Sequence, residues 1–95
     1  MGIEKKQEGE ELSRIQWDER RNTVSVSLNS KIYKIDRVLK VAQSFAGACL
    51  VDVGGDAEGV IQVKLKPKSK KIKAREVGYE FCNHVLAEMK MPEDI

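Results

Sequence analysis

His84 is the only histidine in the chain, so any Cys-His or Ser-His-Asp arrangement would have to run through it. Its nearest thiol, Cys82, lies two residues earlier, and two steps along a helix turn side chains about 200° apart. The pair diverges and cannot act as nucleophile and base. The expectation is a boundary histidine bonded to water or a neighbour, with no catalytic residue and no cofactor. Two cysteines, Cys49 and Cys82, without a Cys-x-x-Cys spacing also fall short of the clustered ligands that zinc requires. "GGDAEG" (Gly54 to Gly59) offers backbone donors but lacks the Gly-Lys-Ser/Thr and the following helix of a phosphate loop. Asp52, Asp56 and Glu58 do not carry the calcium-loop pattern.

The remaining candidate is "KLKPKSKKIKAR" (Lys64 to Arg75), with seven cations and no acid. Such a run can grip phosphates, and Lys66, Lys68, Lys70, Lys71 and Lys73 are its candidate contacts with a nucleic acid or another acidic partner. Lys73 and Arg75 fall where a helix dipole prefers acids, so helix stability does not explain them. Yet the run holds no aromatic residue to stack on bases; Tyr79 lies outside it. Lysines also keep sheet edges from pairing and small proteins soluble, so a solvated edge is the first expectation and a phosphate grip the second.

Ninety-five residues, 41% hydrophobic and 34% charged, make one globular domain with a single core. No apolar run approaches the ~20 residues that span a bilayer. The charged N-terminus does not resemble a secretory signal, and two cysteines among apolar neighbours suit packed, reduced thiols, so a cytoplasmic protein is expected. The net charge of +2 hides an asymmetry: outside the basic run, ten cations face fifteen acids. Residues 1–12 are expected to be a disordered, charged arm, 13–91 a single α+β domain, and 92–95 a tail.

Several elements must position these residues. "SRIQWDERRNT" reads as a short strand and turn, or as a helical turn laying Trp17 on the core; the strand is favoured. Thr23 to Leu28 alternates valine or leucine with serine, the mark of a strand with one buried face. Ile35, Val38, Leu39, Ala42, Phe45 and Ala46 recur at helical spacing, with Gly47 placed for a left-handed stop. "ACLVDV" and "VIQVKLK" flank the glycine-rich loop as a hairpin, and Pro67 ends its second strand. Ser69 is then the candidate cap of a final helix reaching about Met89, whose apolar stripe runs Ala74, Val77, Gly78, Phe81, Cys82, Val85, Leu86, Met89. The fold expected is a two-layer β-α-β-β-α sandwich: a three-stranded mixed sheet with both helices on one face. The helical crossover makes the first two strands parallel; the pattern does not decide which strand is central, and the third is favoured between the other two.

"IYKIDRVLKVAQSFAGACLVDV" and "EFCNHVLAE" resemble the small HxsD family, named from gene clusters that encode peptides with His-Xaa-Ser repeats. The first is similar to that family's tyrosine, short helix and strand, the second to its C-terminal Glu-Phe-x-Asn-x-x-Leu pattern. The charged N-terminal arm and the basic run depart from the family, and this chain holds no His-Xaa-Ser repeat. The resemblance implies a compact accessory protein that binds a protein or peptide partner. The expected function is therefore a non-enzymatic interaction module, monomeric or weakly dimeric, with weak non-specific nucleic-acid binding through the basic run as the alternative.

Overall fold

The computed structural model describes the backbone of residues 5–9, 13–56 and 59–90 and the side chains of 14–55 and 59–90. Seven elements follow one another: β1 (Lys5–Gly9), β2 (Ser13–Asp18), β3 (Thr23–Asn29), α1 (Ile35–Phe45), β4 (Cys49–Asp56), β5 (Val60–Pro67) and α2 (Ala74–Lys90). The tail 92–95 lies outside the described residues. One five-stranded sheet has the order β1-β2-β3-β5-β4. The molecule is a small α+β domain, and none of its described helices is long and apolar enough to cross a membrane.

The alternation expected for β3 and β5 is what shapes the sheet. Val24, Val26 and Leu28 of β3 register against Leu65, Val63 and Ile61 of β5, and all six are buried. Ile15 and Trp17 extend the same face on β2, and Val51 and Val53 extend it on β4. Both helices cover this face: α2 packs on β2, β3 and β5, while α1 lies over β4 and beside α2. Phe81 is fully buried at the junction, edge-on to Phe45 at 5.3 Å between ring centroids.

Two features of the expected sheet need correction. The sheet has five strands, not three, because β1 and β2 are added and form a meander with β3. Lys5–Gly9 pairs as a strand inside the arm expected to be disordered, whereas residues 1–4 and 10–12 lie outside the described residues. Nor is the sheet mixed. β3 and β4 run in the same direction, as a crossover helix requires, but β5 is inserted between them and every neighbouring pair is antiparallel.

The helix ends also differ from expectation. Gly47 does not adopt a positive φ; α1 ends through Ala46 in a right-handed conformation, with Ala46 N–H donating to the Gln43 carbonyl and Ala48 N–H to that of Phe45. The buried stripe of α1 is Val38, Val41 and Ala42, while Ile35 and Leu39 are 49% and 42% exposed. The stripe is turned because α2 packs against one flank of α1 and draws Val41 inward. Ser69 does not cap α2, which starts five residues later; its hydroxyl accepts the Lys71 N–H in a local turn. The cap comes from Asn22, in the β2–β3 turn, whose Oδ1 accepts the Ala74 N–H at 2.8 Å.

Candidate functional site

Capping by Asn22 brings the β2–β3 turn against the connection from β5 to α2, and a half-open cleft of about 880 Å³ forms between them. The turn is stiffened from within, since Asp18 Oδ1 accepts the Arg20 and Arg21 backbone N–H groups at 3.0 and 3.4 Å. The cleft is lined by seven cations, Arg20, Arg21, Lys66, Lys68, Lys70, Lys73 and Arg75, against three acids, Asp18, Glu19 and Glu76. Its charge therefore comes from two segments that are separate in sequence.

The five candidate lysines are not equivalent in this arrangement. Lys68, Lys70 and Lys73 line the cleft, and no ion pair engages them among the described residues. Lys66 lines it too, but its Nζ donates to the Arg21 carbonyl at 2.7 Å, so this ammonium also ties strand to turn. Lys71 is exposed and does not line the cleft. Lys64 of the same run lies on the open face of the sheet, in register with Ser25 and Asp52. Sequence reading missed Arg20 and Arg21, which "DERRN" displays plainly but which only the tertiary cap brings to the basic run.

The aromatic residues absent from the linear run are present in space. Arg75 holds its guanidinium over the Trp17 ring at 5.0 Å and near the Tyr79 ring at 5.7 Å, and the two rings lie 6.5 Å apart. Trp17 is buried, Tyr79 half-buried, and Arg75 exposed on top of them.

A second surface lies one strand beyond β5, at the edge of the sheet. Among the described residues β4 has a neighbour on one side only, so its outer backbone edge is open. It contains no lysine, arginine or proline, in contrast to the other edge, β1, with the sequence KKQEG. Leu50 stands out from β4 at 59% exposure on the open face of the sheet. On the other side, Arg37 and Lys40 of α1 reach Glu88 of α2, so helical geometry turns Ile35 and Leu39 to the flank away from α2, beyond the edge of β4.

The groups with nucleophilic or metal-binding chemistry are dispersed. Cys49 and Cys82 are free thiols. Burial raises the pKa of Cys49, with Lys68 opposing, and burial pushes Cys82 up to about 11. Both stay protonated near neutrality, the inert form. His84 is exposed, 3.6 Å from Glu80 Oε1 and edge-on to Phe45 at 5.4 Å. Among the described residues no group of three or more His, Cys, Asp or Glu side chains could hold a metal ion. No family model matches the chain, nor does any curated protein or solved structure.

Proposed function

We propose that this chain is a cytoplasmic, non-enzymatic interaction module that adds an extended peptide to the outer edge of β4. The observation that carries the reading is the contrast between the two sheet edges. Natural edge strands are commonly guarded by charged side chains, lysine above all, or by proline; over Cys49–Val53 β4 has no lysine or proline and a single charge, Asp52. The strand presents unpaired backbone groups between two apolar supports, Leu50 on one face and Ile35 with Leu39 on the other. Such an edge gives a peptide main-chain hydrogen bonds, and the flanking apolar residues select alternate side chains along it. The ligand chemistry that fits is an extended segment with apolar residues alternating to both faces. Gly54 and Gly55 limit the usable length, because Gly55 has φ of 123° and leaves regular strand geometry. The resemblance to HxsD-like accessory proteins supports the same partner class.

The test is a selection of displayed random peptides on the full chain, followed by amide chemical-shift and hydrogen-exchange mapping. Selected peptides are expected to be extended and apolar, to protect amides of Cys49–Val53, and to lose binding in Leu50→Lys. Protection of β1 or of the α2 surface instead would overturn the reading. Concentration-dependent dimerisation that protects the same amides without peptide would assign the edge to a second copy.

A further inference from the structure

We infer that the cleft between the β2–β3 turn and the β5–α2 connection is a second binding site, for single-stranded nucleic acid. It is distinct from the outer edge of β4, although Lys66 and Pro67, which line the cleft, register with Leu50 and Cys49 on that strand.

The cluster of cations is not accounted for by the fold. Lys73 and Arg75 flank the first residue of α2, where positive charge opposes the helix dipole. The α2 N-terminus itself offers little to an anion, since Asn22 already accepts from Ala74. Seven cations against three acids in one cleft repel one another, and one of those acids, Asp18, spends an oxygen on turn amides. A chain of phosphates relieves this repulsion and releases its own counterions.

Size and chemistry select among polyanions. A half-open cleft of about 880 Å³ admits one extended strand, whereas a duplex would meet only its rim. Arg75 is exposed over Trp17 with Tyr79 beside it, so its guanidinium is held at the cleft surface as a platform. Unpaired bases stack on arginine planes as they do on aromatic rings. A peptide of acidic residues would answer the charge but would leave that platform unused. Arg20, Arg21, Lys68, Lys70 and Lys73 thus meet phosphates, and Arg75 meets a base. With the cleft's other cations on phosphates and Arg75 stacked, binding does not depend on base identity.

The deciding experiment is fluorescence anisotropy of a labelled oligouridylate, across a salt series, with a duplex of the same length and labelled polyglutamate alongside. The full chain is compared with a cleft triple (Lys68→Glu, Lys70→Glu, Lys73→Glu), a charge-matched control triple outside the cleft (Lys31→Glu, Lys64→Glu, Lys71→Glu), and Arg75→Lys. Circular dichroism checks that each is folded. The expected result is salt-sensitive binding of the single strand, retained by the control triple. The cleft triple should bind far more weakly, with a log–log salt slope shallower by about 2, at about 0.7 for each phosphate no longer neutralised. Arg75→Lys keeps the charge and loses the plane, so affinity should fall about tenfold with the slope unchanged. Even if the cleft triple fails to fold, the Arg75→Lys result stands on its own. Equal losses in both triples, duplex bound as tightly as single strand, polyglutamate bound as tightly as oligouridylate, or an Arg75→Lys protein indistinguishable from the parent would each overturn the assignment.

Discussion

The Asn22 side chain holds the α2 entrance from both sides: Oδ1 accepts from Ala74 N–H at 2.8 Å and Nδ2 donates to the Ile72 carbonyl at 2.9 Å. Asn22 itself has φ of 51°, a left-handed conformation that asparagine tolerates better than most residues. Two costs are therefore combined at one position. Asn22→Ala should lose the cap, about 1–2 kcal/mol, and add about 1 kcal/mol of backbone strain. Asn22→Gly loses the cap without the strain, and Asn22→Asp keeps the acceptor while losing the donor. Urea denaturation should rank the losses Ala above Gly above Asp; equal losses for Ala and Gly would remove the backbone contribution.

Three glycines should respond differently to alanine. At Gly55, φ is 123° and a Cβ would lie 2.3 Å from the Val60 carbonyl oxygen, so Gly55→Ala should cost about 3 kcal/mol or more. At Gly78 the Cβ would meet Val24 Cγ2 at 2.7 Å, in a wall of stiff, buried side chains. Overpacking there costs about 1–3 kcal/mol against about 1 kcal/mol of helix propensity gained, a net loss near 1 kcal/mol. At Gly47 nothing lies within 4 Å of a Cβ and φ is not positive, so Gly47→Ala should stabilise by about 0.5 kcal/mol. Thermal melts of the three variants check the order.

The glycines divide the sequence reading: the reversal at Gly55 was legible, whereas the left-handed stop expected at Gly47 does not form. Period two in "TVSVSL" and "VIQVKLK" revealed β3 and β5, because each buries one face and wets the other. The position of β5 between β3 and β4 was favoured but not fixed by the sequence, because a crossover makes β3 and β4 parallel whether or not they are neighbours. β1 was not legible, since KKQEG contains no apolar side chain and so no burial period. The apolar stripe of α1 was misplaced because Ile35 and Leu39 have the same spacing as Val38 and Ala42, and only the docking of α2 decides between them. In the cleft, the run Lys64 to Arg75 was conspicuous, yet it joins residues from opposite faces of the sheet and omits Arg20 and Arg21.

Thiol reactivity should be low and should rise on unfolding. With Cys82 pushed up to about 11 from 9.0, its thiolate fraction below pH 9 is about 100-fold smaller than that of a free thiol. Alkylation of Cys82 at pH 8 should therefore be slow in the folded chain and fast in urea. The linkage has a definite sign. A raised folded-state pKa contributes stability below pH 9, and that contribution is lost as pH rises from 9 toward 11. Cys82→Ala should flatten this part of the stability profile, measured as the difference between the two proteins to cancel lysine titration.

Trp17 is 5% exposed, and its Nε1 is buried without a hydrogen-bond partner among the described residues. An unmade hydrogen bond from a buried donor costs about 1–3 kcal/mol. Trp17→Phe removes that donor but also loses ring area, worth about 1–2 kcal/mol at the usual coefficient for apolar burial. The two contributions nearly cancel, so the variant should remain within about 1 kcal/mol of the parent, unlike an ordinary buried Trp→Phe change. Trp17→Leu abolishes the ring beneath Arg75 as well and should cost clearly more. Circular dichroism melts are the suitable readout, since this is the chain's only tryptophan. A loss above 2 kcal/mol in Trp17→Phe would mean that the indole N–H is satisfied in solution by a water or a shifted carbonyl.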